Sequence, residues 1–215
     1  MTTLGNLWND ALKDAPWASK VAPAPGELCL VQALVNTVDL RRGSDELTTP
    51  RALADWLERW GFPIDDGEIG QTELERTRAV RGGLGALIGG NARQEVDPAA
   101  VERLNRSASS PMLRVRYAPG AEPRLEVAVD GFEAVMGHLG RIVVGASEAG
   151  VWSRLKVCAG ENCGLTFYDT SPNAKRKWCS MRRCGNRVKA RTFRRRHDTR
   201  LFKPAVRRRG RRSRG

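Results

Sequence analysis

Hydrophobic positions recur at helical spacing through the first 110 residues of the chain. The segment after the breaker run "APAPGE" contains the longest apolar run, "LCLVQALV". In this segment the apolar residues Leu28, Val31, Val35 and Val38 recur at helical spacing. The next apolar stripe is made of Leu53, Trp56, Leu57 and Trp60. Thr49 is a suitable N-cap for that second helix, Pro50 is a suitable first residue, and Gly61 ends it. The pattern predicts a mostly helical N-terminal domain.

Two further helices are indicated before residue 110. The first has apolar positions at Leu74, Val80, Leu84 and Leu87, although three glycines within it lower its helical propensity. The second is a shorter helix that opens at Asp97 and Pro98 and carries Val101 and Leu104.

The period of the pattern changes from helical to alternating after residue 112. Leu113, Val115 and Tyr117 alternate with arginines, and Leu125, Val127 and Val129 repeat the alternation after a Pro/Gly turn, which predicts a β-hairpin. Asp130 is expected to cap a final helix with an inner face of Phe132, Val135, Met136, Leu139 and Val143. The run "GASEAG" is then a candidate linker to the rest of the chain.

Charge divides the chain into two unlike parts. Residues 1–150 hold 16 Lys/Arg against 21 Asp/Glu, a net of −5, whereas residues 151–215 hold 21 against 3, a net of +18. Only the second part is therefore suited to a polyanionic partner. Its last stretch, residues 203–215, is too charged and too poor in apolar residues to fold alone, so a disordered basic tail is expected.

No membrane association is expected. The first 20 residues lack the basic and then apolar regions of a secretory signal, and no apolar run approaches the roughly 20 residues that span a bilayer. These observations predict an intracellular protein, in a compartment where clustered cysteines more often bind metal than form disulfides.

Four of the five cysteines form two pairs with the spacing Cys158-x4-Cys163-x15-Cys179-x4-Cys184. Zn²⁺ prefers four tetrahedral ligands, so the set predicts one structural zinc ion per chain with no open position for catalysis. Two disulfides or four unrelated buried thiols are the alternatives. The fifth cysteine, Cys29, lies in an apolar helix and is expected to pack in the core, and neither His138 nor His197 is needed as a ligand.

The residues around the two cysteine pairs predict a small finger. The segment between the pairs favours a short hairpin around a Ser-Pro-Asn turn, and Ser180 can cap a helix that continues from Met181 towards His197. The expected fold is α+β: a mainly helical N-terminal domain with a β-hairpin (1–150), then a small treble-clef-like zinc finger with a basic helix (151–202), and the tail (203–215).

Specific motifs point to a family. "FYDTS", "KWCSM" and "CGNRVKARTFRRR" resemble the CGNR zinc finger, and "LCLVQALVNTVDLRRGSDELTTPRALADWL" resembles the ABATE-type domain that precedes this finger in bacterial proteins described as stress-induced transcription regulators. One departure is that Gln32, Ala33 and Leu34 precede Val35, where the family often has an acidic residue. The resemblance implies a transcription regulator with a DNA-binding finger.

The helix after the last cysteine is the candidate nucleic-acid surface. Its candidate contacts are Asn186, Arg187, Lys189, Arg191, Arg194, Arg195, Arg196 and Arg200. Among them Asn186, Arg187 and Arg191 are candidates for reading bases. Aromatic residues here are few, and most are expected in the core, which favours duplex DNA over a stacked single strand. An RNA-binding module with the same finger and tail is the alternative, and an effector of the N-terminal domain and a homodimer are further expected partners.

No enzyme is expected from the sequence. There is no nucleophile with a base, no phosphate-binding glycine motif and no cluster of histidines with carboxylates. The acidic run Asp65, Asp66 and Glu68 is expected to be a solvated turn. A DNA-binding regulator would work in the cytoplasm, associated with the nucleoid.

Overall fold

The computed structural model describes residues 8, 11–65, 67–109 and 113–201, apart from the side chains of residues 121, 196 and 198–201. Residues 11–14 are helical, and the helices whose bounds lie within these ranges are α1 (Leu28–Val35), α2 (Pro50–Arg59), α3 (Gln71–Asn91), α4 (Pro98–Ser107), α5 (Gly131–Glu148) and α6 (Asn186–Leu201). The strands are β1 (Val38–Asp39), β2 (Ser44–Asp45), β3 (Leu113–Ala118), β4 (Ala121–Val127), β5 (Leu155–Val157) and β6 (Thr166–Tyr168), which pair in chain order as three antiparallel hairpins. The α+β prediction is confirmed.

The helix α2 begins and ends as predicted. The Thr49 hydroxyl accepts a hydrogen bond from the backbone N–H of Ala52 at 3.1 Å, and Pro50 is the first helical residue. The apolar stripe of this helix is buried, and the carbonyl of Trp60 just beyond it accepts a hydrogen bond from the indole of Trp8. The stripe therefore lies at the centre of the N-terminal core.

The first helix is shorter than its apolar pattern predicts. The helix α1 ends at Val35, and Val38, predicted as its last apolar position, lies instead in β1. The reason is local, because the Thr37 hydroxyl donates to the carbonyl of Leu34 at 2.7 Å and occupies an acceptor of the last turn. The chain then turns into the short β1–β2 hairpin.

The glycines of α3 allow a close helix contact. The helix α4 packs on α3 where a Cβ on Gly83 would lie 2.4 Å from the Cβ of Leu104. A larger residue would push the helices apart. Asp97 caps α4 by accepting from the N–H of Ala99 at 2.9 Å, as predicted.

The N-terminus of α5 is capped differently from the prediction. Asp130 makes no side-chain cap hydrogen bond; instead Glu68 Oε1 accepts from the N–H of Phe132 at 2.5 Å. The interpretation of Glu68 as part of a solvated turn is therefore wrong, because this carboxylate satisfies a free N–H at the start of a helix. Asp66 lies outside the described residues.

The expected linker "GASEAG" is mostly helical. The helix α5 continues to Glu148, and the chain turns at Gly150 directly into a 3₁₀ turn at Trp152–Arg154 and then β5. The buried core is also continuous, because one cluster of buried residues includes both the N-terminal helices and all four paired cysteines. No helix in the described ranges is long and apolar enough to span a lipid bilayer.

Candidate zinc centre and basic helix

The first cysteine pair lies in the turn of the β5–β6 hairpin. Leu155 pairs with Tyr168 and Val157 with Thr166, and the chain between them carries Cys158 and Cys163. The predicted hairpin around the Ser-Pro-Asn turn, between the two pairs, is wrong. The N–H of Cys158 bonds the carbonyl of Leu165 at 3.0 Å and extends the pairing of β5 and β6 towards the cysteines. The Ser-Pro-Asn segment does form a turn, closed by a hydrogen bond from the N–H of Ala174 to the carbonyl of Ser171 at 3.1 Å, but the strand before it, β6, pairs with β5.

The second pair lies at the start of the basic helix. The Ser180 hydroxyl accepts from the N–H of Arg183 at 3.3 Å, as a predicted cap should. One π-helical turn, Met181–Gly185, then carries Cys184 and leads into α6. A hairpin turn and a helix start thus supply one pair each, which is the arrangement of the treble-clef-like finger.

The four sulfur atoms have the geometry of a tetrahedral site. All lie within 4.8 Å of one another, and three Sγ–Sγ distances are 3.8 Å (Cys163–Cys179), 3.6 Å (Cys179–Cys184) and 3.7 Å (Cys184–Cys163). Zinc–sulfur bonds of about 2.3 Å predict about 3.8 Å between thiolates in a tetrahedron. The cysteines are buried and unbridged, so the donor set suits one structural zinc ion with no open position.

Hydrogen-bond donors around the cluster stabilise the thiolate form of the cysteines. Cys158 Sγ accepts from the backbone N–H groups of Gly160 at 3.4 Å and Cys179 at 3.3 Å. Cys184 Sγ accepts from Nη2 of Arg41 at 2.6 Å, although Arg41 is 143 residues away in the β1–β2 loop. Burial alone would lower the pKa of Arg41, but the nearby cysteines raise it above its usual value. Hydrogen bonds donated to metal ligands in this way orient the ligands and tune their charge.

Asp169, in the "FYDTS" motif, organises the rest of the finger. Its buried carboxylate accepts from Nζ of Lys156 at 2.8 Å, from both the N–H and the hydroxyl of Ser171, and from the N–H of Arg176 at 2.8 Å. Burial would raise the pKa of Asp169, but these hydrogen bonds, led by that of Lys156, hold it well below its usual range. One charged side chain therefore fixes the loop before the second cysteine pair.

The finger is docked on α1 through a buried amide. Asn36 accepts from the N–H of Thr166 at 2.8 Å and donates to its carbonyl at 2.9 Å, as a neighbouring strand would. Gln32, fully buried, donates to the same carbonyl at 3.3 Å and accepts from the N–H of Ala24 at 2.6 Å. Gln32 thus has a structural role here, because a carboxylate in its place could not donate to Thr166.

The β1–β2 loop makes a second contact with the finger. Gly164 has a φ of +60°, and a Cβ there would lie 2.4 Å from Cδ1 of Leu40. Only glycine combines this backbone conformation with so close an approach. The loop and the turn between Cys163 and β6 are therefore held together.

The basic helix α6 exposes its cationic side chains. Those of Asn186, Arg187, Lys189, Arg191, Arg194 and Arg195 are all exposed, whereas the side chains of Arg196 and Arg200 lie outside the described residues. At about 100° per residue, Arg187, Arg191, Arg194 and Arg195 share an arc of about 100°, which we call the arginine face. Asn186 lies about 140° around the helix from Arg191.

The aromatic residues of this region do not all belong to the core. Phe167 is buried and Trp178 is half-buried, as expected. Phe193 is 63% exposed on α6, with its ring centroid 4.5 Å from that of His197. It lies on the side of the helix away from the arginine face.

Comparison with protein families agrees with this architecture. The CGNR zinc finger model matches residues 154–197, which hold both cysteine pairs and the start of α6. The ABATE model, described as "Putative stress-induced transcription regulator", matches residues 28–148, which is 121 of the 215 residues. The chain belongs to the ABATE family. No curated protein matches the chain, and neither family model describes an enzyme.

The ABATE and CGNR resemblance and the zinc prediction are thus confirmed, but the roles of three polar residues were not foreseen. Asn36 and Arg41 lie at the junction of the two parts, and Asp169 lies within the finger. All three lie inside the stretches that carry the family resemblance: Asn36 and Arg41 in "LCLVQALVNTVDLRRGSDELTTPRALADWL" and Asp169 in "FYDTS". The available signal for each residue was its place in such a stretch. Its partner could not be found from the sequence, because Asn36 and Arg41 bind groups more than 120 residues away.

Proposed function

We propose that the protein is a transcription regulator that binds duplex DNA through α6. The observation that carries the proposal is the arginine face, which begins at Arg187, immediately after the turn that holds Cys184. A four-cysteine cluster that suits zinc holds the start of the helix and therefore fixes the direction in which the arginine face points. The ABATE family is itself described as a regulator family, which supports the same function.

The arginine face suits the polyanionic surface of a duplex. So many cations on one helix repel each other unless phosphates neutralise them. If six to ten cations met phosphates, affinity would fall about 10³- to 10⁵-fold between 50 and 200 mM salt. An α-helix fits the major groove, where arginine pairs with guanine through two hydrogen bonds. We assign base reading to Arg187 and Arg191, and a flanking contact to Asn186 because it lies on another side of α6.

The remaining parts have supporting roles in the proposal. Residues 1–150 sense a signal, through an effector or through self-association, and residues 151–202 form the DNA-binding unit. Residues 203–215, which lie outside the described residues, add basic charge that attracts the DNA backbone. Such a regulator acts in the bacterial cytoplasm on nucleoid DNA, and a palindromic target would require a homodimer.

The test is selection of bound fragments from fragmented bacterial genomic DNA at about 150 mM salt, where exposed charges are screened beyond about 8 Å. The zinc-loaded full-length protein should enrich a common sequence. The double variant Arg187→Ala/Arg191→Ala should lose the enrichment. Its matched control is Arg103→Ala/Arg106→Ala, because these two exposed arginines lie on α4 in the helical domain.

Competition decides between DNA and RNA. The enriched duplex should stay bound in the presence of excess structured RNA. Displacement by RNA, or enrichment that survives loss of Arg187 and Arg191, would contradict the proposal.

A further inference from the structure

The β1–β2 loop, residues 40–43, brings two arginines of the helical domain to the finger. Arg41 reaches Cys184, and Leu40 covers Gly164. The two arginines stand out because residues 1–150 are acidic overall, with a net charge of −5.

Two clefts place these arginines beside those of the finger. The first cleft, of about 470 Å³, is lined by Leu40 and Arg41 from the loop and by Arg187, Arg191 and Arg195 from the arginine face. Glu161, the ion-pair partner of Arg191, also lines it. The second, of about 270 Å³, is lined by Arg41, Arg42 and, from the finger, Arg183. Since Arg41 lines both clefts, the loop arginines and the arginine face form one continuous surface.

The Arg42 side chain is available to a ligand. It is 68% exposed, and its ion pair with Asp39 has an Nε–Oδ2 distance of 3.9 Å. Asp39 has a closer partner in Lys20, at 3.1 Å, so it does not depend on Arg42 for neutralisation. An exposed ion pair this long contributes little to stability.

The loop is held in a fixed position. Arg81, on α3, binds both carboxylate oxygens of Asp45 at 2.6 and 2.7 Å and donates to the hydroxyl of Thr37 at 2.9 Å. These bonds fix both ends of the β1–β2 hairpin, and the contact of Arg41 with Cys184 fixes its tip. A pre-positioned loop loses little conformational entropy on binding.

We infer that the β1–β2 loop is part of the DNA-binding surface, with Arg42, and Arg41 beside it, contacting backbone phosphates next to the groove that α6 enters. The inference rests on the proposed function of α6. In helix-based DNA recognition, the start of the helix reads bases while adjoining elements bind the backbone. The loop lies at the start of α6, beside Arg183 and Arg187, which is where an adjoining phosphate contact belongs. DNA therefore contacts both family domains at once.

The test is the salt dependence of duplex binding by Arg42→Ala in the full-length, zinc-loaded protein. Losing one phosphate contact should make the slope of log K against log salt shallower by about 0.9. If the variant and the wild type bind equally at 1 M salt, the variant should then bind about fivefold more weakly at 150 mM salt. The matched control is Arg51→Ala, because Arg51 is also an exposed, ion-paired arginine of the helical domain and lines neither cleft. Zinc content and circular dichroism should equal those of the wild type.

The possible outcomes distinguish failure of the loop contact from failure of the proposed DNA-binding function. If Arg42→Ala behaves like Arg51→Ala while Arg191→Ala lowers both slope and affinity, the loop is not part of the surface and the proposed function stands. If Arg191→Ala also has no effect, the proposed function fails as well. A reduced slope for Arg42→Ala, with Arg51→Ala unchanged, supports the composite surface.

Discussion

Replacing Asp169 by asparagine should destabilise the finger strongly. The carboxylate is fully buried, and the side chain of its partner Lys156 is only 8% exposed. The variant Asp169→Asn leaves the Lys156 ammonium buried without a countercharge and sets an amide against donors from Ser171 and Arg176. Breaking a buried pair on one side costs about 3–5 kcal/mol.

That cost should be visible in thermal unfolding. At about 2–4 °C per kcal/mol for a chain of this size, the midpoint should fall by about 6–20 °C in zinc-containing buffer. The folded pKa of Asp169 lies below the unfolded value of about 3.9, so its contribution is present in full at neutral pH and is lost as pH falls through the folded pKa. Thermal scans at pH 7.5 therefore measure the whole contribution of Asp169 to stability.

An exposed ion pair provides the control. Asp55→Asn removes a carboxylate that is 48% exposed and pairs with Arg51 at 2.8 Å, and it should cost less than about 1 kcal/mol. The double variant Lys156→Met/Asp169→Asn should recover part of the loss, because the unpaired charge is gone. Equal midpoints for Asp169→Asn and Asp55→Asn would refute the role given to Asp169.

Three further predictions concern the thiols and the basic surface. Burial raises the pKa of Cys29 to about 11, so thiol reagents at pH 8 should label no cysteine of the native zinc protein and at most four after chelation. Arg41→Met removes the donor to Cys184 and should weaken zinc affinity by about 10- to 100-fold in a chelator competition. Glu161→Gln frees Arg191 from its ion pair and should raise duplex affinity by about 1.5- to 5-fold in a titration.

Each of these three has a control within the chain. Mass spectrometry that finds Cys29 labelled in the folded protein would contradict its burial. Arg42→Met, one residue from Arg41 and not bonded to sulfur, should keep wild-type zinc affinity. Glu102→Gln removes a carboxylate as exposed as Glu161 and paired with Arg106, and it should leave duplex affinity unchanged.

Local patterns in the sequence predicted most of the helices. The helix α2 follows from Thr49, Pro50 and its apolar stripe, because capping and burial there depend on residues a few positions apart. The same reasoning was wrong at Val38, since a side-chain hydrogen bond from Thr37 ends the helix before the apolar pattern does. It was also wrong at Asp130, where the cap comes from Glu68, 62 residues earlier.

The cysteine spacing predicted the zinc site but not its surroundings. The ligand set follows from residue type and spacing, because a structural zinc ion takes four tetrahedral ligands, and cysteine pairs on two short turns can supply them. The position of the hairpin was missed, because the Ser-Pro-Asn run does form a turn, but the strand before it, β6, pairs with the earlier strand β5. The contact of Arg41 with Cys184 joins two family domains, so no pattern local to either one predicts it.

The most direct test of the account is whether DNA binding depends on the zinc-built finger. Metal analysis of the reduced full-length protein should find one zinc per chain. Fluorescence anisotropy with an enriched duplex at about 150 mM salt should show binding that is lost on chelation, restored by zinc, and absent in Cys184→Ser. Protein without zinc, or binding that persists unchanged after chelation and in Cys184→Ser, would contradict the claim that the finger presents α6 to DNA.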